Sequence, residues 1–135
     1  MQRTKQAGCL NSSRNELQQL IVHFSLKEHY AQAALAQLHQ RHRQEQENKD
    51  KLLLLINGLE QQIIDFGCRG LLSYTELNER RRKQAIYRKQ ILDVRVRVDE
   101  SSLQLEQISD DIAESHKMII SLKKKIIKFG LYSER

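Results

Sequence analysis

Residues 52–77 read LLLLINGLEQQIIDFGCRGLLSYTEL. Leu52, Ile56, Leu59, Ile63 and Phe66 recur at alternating steps of four and three, the spacing of an apolar seam on a helix. Gly67-Cys68-Arg69-Gly70 then interrupts the pattern. Gly67 is well placed as a left-handed helix stop. Ser73-Tyr74-Thr75-Glu76 follows as a capping box, with a serine that can hold the first free amides and a glutamate three residues on. One helix therefore ends, the chain turns, and a second helix begins.

Read backwards, the four-three alternation continues through Lys49, Glu45, His42, Leu38, Leu35, Ala31, Glu28, Phe24, Ile21 and Leu17. Forwards it runs from Leu77 through Arg80, Gln84, Tyr87, Ile91, Val94, Val98, Ser101, Leu105, Ile108, Ile112, Ser115, Ile119, Leu122 and Ile126 to Phe129. A seven-residue repeat held this long puts a narrow apolar stripe on a long helix and requires a partner helix. The short turn makes the chain its own partner. The pattern predicts an all-α fold, a long antiparallel two-helix coiled-coil hairpin forming one domain over residues 1–135. Helix 1 is expected over about 13–66, starting at the box Ser13-Arg14-Asn15-Glu16. The turn is expected at 67–72, and helix 2 over about 73–129, stopped by Gly130. Helices of this length would make a rod of roughly 80 Å.

Folding the chain at Arg69 places Leu17 near Leu122, Ala31 near Ile108 and Leu52 near Tyr87. That register brings the polar stretch from His39 to Lys51 against the apolar Ile91, Val94 and Val98, which implies a weakly packed waist, a local shift in register, or an apolar stripe on helix 2 that meets another molecule. Val94-Arg95-Val96-Arg97-Val98 also alternates like a strand, but the seam crosses it without a break and it reads as helix. Gly58 inside helix 1 marks either a close approach or nothing.

Composition agrees with long helices. Proline is absent, glycine is five of 135 residues, and charged residues make up 30%. An interior proline would remove a hydrogen bond and clash with the preceding turn. Aromatics are 5% and tryptophan is absent, so no large enclosed pocket is expected. A two-helix seam has little interior in which to desolvate a substrate. Cofactors, a small-molecule substrate and enzymatic activity are therefore not expected, and no catalytic residue is nominated. Cys9 and Cys68 fall at opposite ends of the proposed hairpin, too far apart for a disulfide, and read as free thiols. No apolar stretch resembles a signal peptide or a membrane span, which predicts a soluble intracellular protein.

Candidate sites come from histidines, charge and the turn. His39, His42 and Glu45 share a helical face, but Arg95 and Arg97 opposite would not ligate a cation, so a solvated face is the preferred reading. Residues 67–98 carry nine basic and three acidic side chains, 99–122 one basic and six acidic, and 123–135 five basic and one acidic. Positive charge is thus concentrated in Arg80-Arg81-Arg82-Lys83, with Arg88, Lys89, Arg95 and Arg97, and in Lys123-Lys124-Lys125-Lys128. Solvated faces explain such runs; a partner's acidic surface is the functional alternative. Nucleic acid is disfavoured, because a zipper-type basic region precedes its apolar seam whereas here the seam starts before Arg80 and contains it. Leu71, Leu72 and Tyr74 at the turn offer either a local cap on Phe66 or an apolar contact.

The stretch from Tyr74 to Ile91, YTELNERRRKQAIYRKQI, resembles the opening of the second helix in the stalk proteins of type III secretion systems, the YscO/InvI-like family, with FliJ as flagellar relative. The architectural likeness covers nearly the whole chain and the residue likeness about a fifth of it. The resemblance implies a non-enzymatic central stalk that couples a hexameric secretion ATPase to the ring-shaped export gate. Some family members also bind export chaperones. It implies an ATPase-facing end at Leu17, Ile21, Phe24, Lys123, Lys124, Lys125 and Lys128. It implies a gate-facing tip at Arg69, Leu71, Leu72, Tyr74, Arg80, Arg81, Arg82 and Lys83. The location implied is cytoplasmic, held at the cytoplasmic face of the inner membrane through these partners. The residues leave open a generic coiled-coil adaptor or a homodimer acting through an apolar stripe.

Overall fold

The chain forms two helices, α1 over Gln2–Gly67 and α2 over Tyr74–Glu134, in a computed structural model that describes residues 2–67 and 73–134, with side chains from Ser12 onward. Among the described residues there is no strand. Val94 to Val98 is helical, with Val94 buried and Val96 facing out.

The seam is where the repeat places it. Every one of the fifteen α1 positions from Leu17 to Phe66 is buried or half-buried, and Glu60 is the one other α1 residue from Ser12 to Gly67 that is not exposed. On α2, fifteen of the sixteen seam positions are likewise covered, Leu77 being exposed. Covering one stripe per helix is what a heptad repeat accomplishes, because 3.5 residues per turn keeps the stripe facing its partner.

Packing divides the chain into two compact units, residues 1–40 with 109–135 and residues 41–108. In the first unit, Ala31, Leu35, Ile119 and Leu122 form a buried cluster flanked by Phe24 and Ile112. Phe24 stacks on Phe129 with ring centroids 5.6 Å apart and planes 4° from parallel. In the second, Ile56, Ile91 and Val94 are buried among Leu52, Leu59, Ile63 and Val98, and Phe66 stacks on Tyr87 at 5.7 Å. Within each unit, partners rise in number on α1 as they fall on α2, so the helices are antiparallel.

The register differs from the expected one by two heptads. Leu122 packs with Ala31 and Leu35, not with Leu17. Ala31 packs with Ile119 and Leu122 rather than with Ile108. Tyr87 meets Phe66, not Leu52. The physical reason is burial. The expected register would set Ile91, Val94 and Val98 against the polar His39–Lys51 stretch. The observed one sets them against Leu52, Ile56, Leu59 and Ile63, and burying a large aliphatic side chain is worth about 1.5–3 kcal/mol.

The polar stretch meets polar partners instead. Ser101, 3% exposed, donates from Oγ to Glu45 Oε1 at 2.6 Å. With its amide nitrogen turned toward the carboxylate, Gln104 donates to both Glu45 oxygens at 3.1 and 3.2 Å. Of the alternatives the polar stretch left open, the structure takes a shifted register, with a hydrogen-bonded contact at Glu45 in place of a weakly packed waist.

Helix boundaries differ from expectation in part. Ser73 caps α2: its Oγ accepts from the Glu76 amide at 3.3 Å and its carbonyl accepts from the Leu77 amide at 3.0 Å. The earlier box, Ser13 to Glu16, lies inside α1, which begins at Gln2. Serine and glutamate three apart also occur on a continuous helix, and Gln2, Arg3, Lys5, Gln6 and Ala7 are good helix formers that outweigh one glycine. Gly67 is the last residue of α1 and does not adopt a left-handed conformation. Gly130 does not stop α2, which runs to Glu134, and the Ser133 hydroxyl donates to the Gly130 carbonyl at 2.9 Å. At Gly58 a Cβ would meet nothing within 4 Å, so no close approach explains that glycine.

Candidate interaction surfaces

Because Phe66, one residue from the end of α1, stacks on Tyr87, α2 begins about three turns before its first aromatic partner on α1. Tyr74 is 80% exposed and Leu77 39%. Arg80 occupies the seam register and is half-buried, while Arg81 and Arg82 point outward and are exposed. Lys83 carries its ammonium back over the Phe66 ring, 5.9 Å from the centroid. The structure thus sets Tyr74 and the Arg80–Lys83 cluster on the opening turns of α2. Arg69, Leu71 and Leu72 lie outside the described residues, as do Cys68 and the Cys9 side chain.

In the other unit, the candidate residues separate into two sets. Leu17, Ile21 and Phe24 are half-buried on the seam. Lys125 extends over the Phe24 ring at 5.3 Å, and Lys123 pairs with Glu28 at 3.7 Å. These two lysines bind the seam's edge to α1, snorkelling along its apolar surface. Lys124 and Lys128 face out. With Lys117, Ile120, Ser121 and Lys125 they line an open groove of about 320 Å³ built from α2 alone. Lys117 and Ile120 lie outside the run of adjacent lysines and join the groove only through helical spacing. Spacings of three, four and seven are what gather a helical face, and those spacings were available.

The histidine face does not assemble a metal centre. Glu45 is engaged by Ser101 and Gln104, and His39 sits edge-on to His116 at 6.2 Å. Among the described residues, no group of three or more His, Cys, Asp or Glu side chains is arranged to hold a metal ion. Among them, too, no helix is long and apolar enough to cross a membrane.

Surface chemistry of this kind, basic and apolar, suits binding to other macromolecules. No curated protein and no solved structure matches the chain. Residues 15–135 match the family described as the Salmonella surface presentation of antigen gene type M protein. That span takes in most of α1, all of α2, both basic blocks and all of the paired seam. The chain belongs to this family of type III secretion stalk proteins, and is a component of the type III secretion apparatus.

Proposed function

We propose that the chain is the non-enzymatic central stalk that couples the hexameric secretion ATPase to the export gate. The single observation that carries the reading is the distribution of basic side chains in a type III secretion stalk family member. One exposed block, Lys117, Lys124 and Lys128, belongs to the unit of residues 1–40 and 109–135. The other, Arg81 and Arg82, belongs to the unit of residues 41–108. Each block stands beside exposed apolar side chains, Ile120 in one case and Tyr74 and Leu77 in the other. Two separate basic-apolar surfaces fit two different acidic partners. In this reading the surface around Phe24 and Lys123–Lys128 engages the ATPase. The opening turns of α2 engage the gate ring, and export chaperones compete for one of the two surfaces. The stalk works in the cytoplasm, held at the inner membrane by its partners.

The test is co-purification of the full chain with a hexameric secretion ATPase and, separately, with the cytoplasmic part of an export-gate ring. Reversing Lys123, Lys124 and Lys125 to glutamate should weaken the first complex and spare the second. Reversing Arg81 and Arg82 should do the opposite. Equal loss of both complexes from either variant, with helicity intact by circular dichroism, refutes the two-surface stalk.

A further inference from the structure

The outward face of α2 between Arg82 and Glu106 is left exposed by the described residues. Ile91, Val94 and Val98 turn inward to the seam, so Leu92, Val96 and Leu103, four and seven residues apart, point away from α1. They are 60%, 56% and 66% exposed. All of these residues belong to one compact unit.

Charge on this face is ordered. Arg82, Arg88 and Lys89 precede the apolar centre, and Asp99, Glu100 and Glu106 follow it. None of these six forms an ion pair within the chain among the described residues. Lys89 and Asp99 are about 15 Å apart along the helix, well beyond the screening length of about 8 Å at physiological salt. The two blocks therefore do not neutralise each other on one helix.

A second copy laid antiparallel across this face satisfies both blocks at once. With the two-fold axis at the level of Val94, Leu92 of one copy meets Val96 of the other, Lys89 meets Asp99, Arg88 meets Glu100 and Arg82 meets Glu106. Each contact occurs twice, as an isologous interface requires. Sliding the copies by one turn sets Asp93 against Asp99 in one direction and Lys89 against Arg95 in the other, and an in-register parallel copy sets like charge on like charge along the whole face. We propose that the outward face of α2 from Arg82 to Glu106 binds a second copy of this chain, antiparallel and two-fold symmetric. The complementarity of the face with itself singles out this partner, because any other helix covering the whole face would have to carry both charge blocks in the same matching order, and a second copy does so by symmetry.

The experiment is sedimentation equilibrium on the full chain, whose monomer mass is 15.9 kDa. The wild type should associate to twice that mass, more weakly as salt rises. Arg88→Glu with Lys89→Glu should raise the dissociation constant roughly tenfold or more by setting like charges across the axis, and Asp99→Lys with Glu100→Lys should do the same. An equimolar mixture of the two variants should dimerise again, because each mutated block then meets its opposite. Circular dichroism of each variant confirms that the helices persist. A monomeric wild type up to its solubility limit overturns the proposal and leaves the face for a different partner. A dimer indifferent to both reversals, or variants that fail to rescue each other, also overturns it, placing any self-association on another face.

Discussion

The hydroxyl of Ser101 and the carboxylate of Glu45 meet at 2.6 Å between α1 and α2. Ser101 is almost fully buried and Glu45 half-buried, so this is a polar contact set into the seam between the two helices. Such a contact contributes less to stability than a well-packed aliphatic pair, but it penalises every alternative alignment that leaves the carboxylate without donors.

Ser101→Ala should therefore lower unfolding free energy by about 1 kcal/mol, since Gln104 still donates to Glu45. Ser102→Ala, which removes a bond from Ser102 to the Val98 carbonyl within α2, should cost less than half of that. Urea denaturation followed by circular dichroism measures both. Equal effects would mean that the Ser101–Glu45 bond has no special role.

The register can be read by cross-linking. In a background with Cys9 and Cys68 replaced by serine, Phe66→Cys with Tyr87→Cys should oxidise to an intramolecular disulfide, because these rings stack at 5.7 Å. Leu52→Cys with Tyr87→Cys should not. Bridge formation in the second pair and not the first would restore the register two heptads away.

Gly58→Ala should stabilise the chain. The added methyl meets open space, and alanine in a helix interior is favoured over glycine by about 1 kcal/mol. The expected result is a raised thermal midpoint with unchanged helicity at low temperature. A lowered midpoint would reveal a steric demand on this face of α1.

The exposed Arg95–Glu60 pair, 3.2 Å long with both side chains about half in solvent, should matter little. Arg95→Gln is expected to change stability by less than about 0.5 kcal/mol, because exposed ion pairs are screened and entropically costly. A loss of several times that size would mean the pair reports on register rather than on surface charge.

Partner binding by the two basic surfaces should weaken steeply with salt, as exposed charges are screened beyond about 8 Å. Pull-downs at rising salt, with the ATPase and the gate ring in parallel, check this. Salt-insensitive binding would shift the contact onto Phe24, Tyr74 and the other apolar side chains.

The residues of the seam, the two-helix fold and the Ser73 cap were all legible from local pattern. A heptad repeat states which face of each helix is covered without reference to the partner, and a cap is a contact between near neighbours. Of the candidate surfaces, the lysine runs were legible as composition. Their division into Lys123 and Lys125 held against α1, and Lys124 and Lys128 facing out, needed the paired helices. Alignment of the two helices was beyond the repeat itself, because sliding one helix by seven or fourteen residues returns every seam position to the seam. The tertiary structure breaks that degeneracy through which residues meet: Ile91 and Val94 with Ile56, Ala31 and Leu35 with Ile119 and Leu122, Glu45 with Ser101. The observed alignment buries large aliphatic side chains together while giving Ser101 and Glu45 a hydrogen bond to each other.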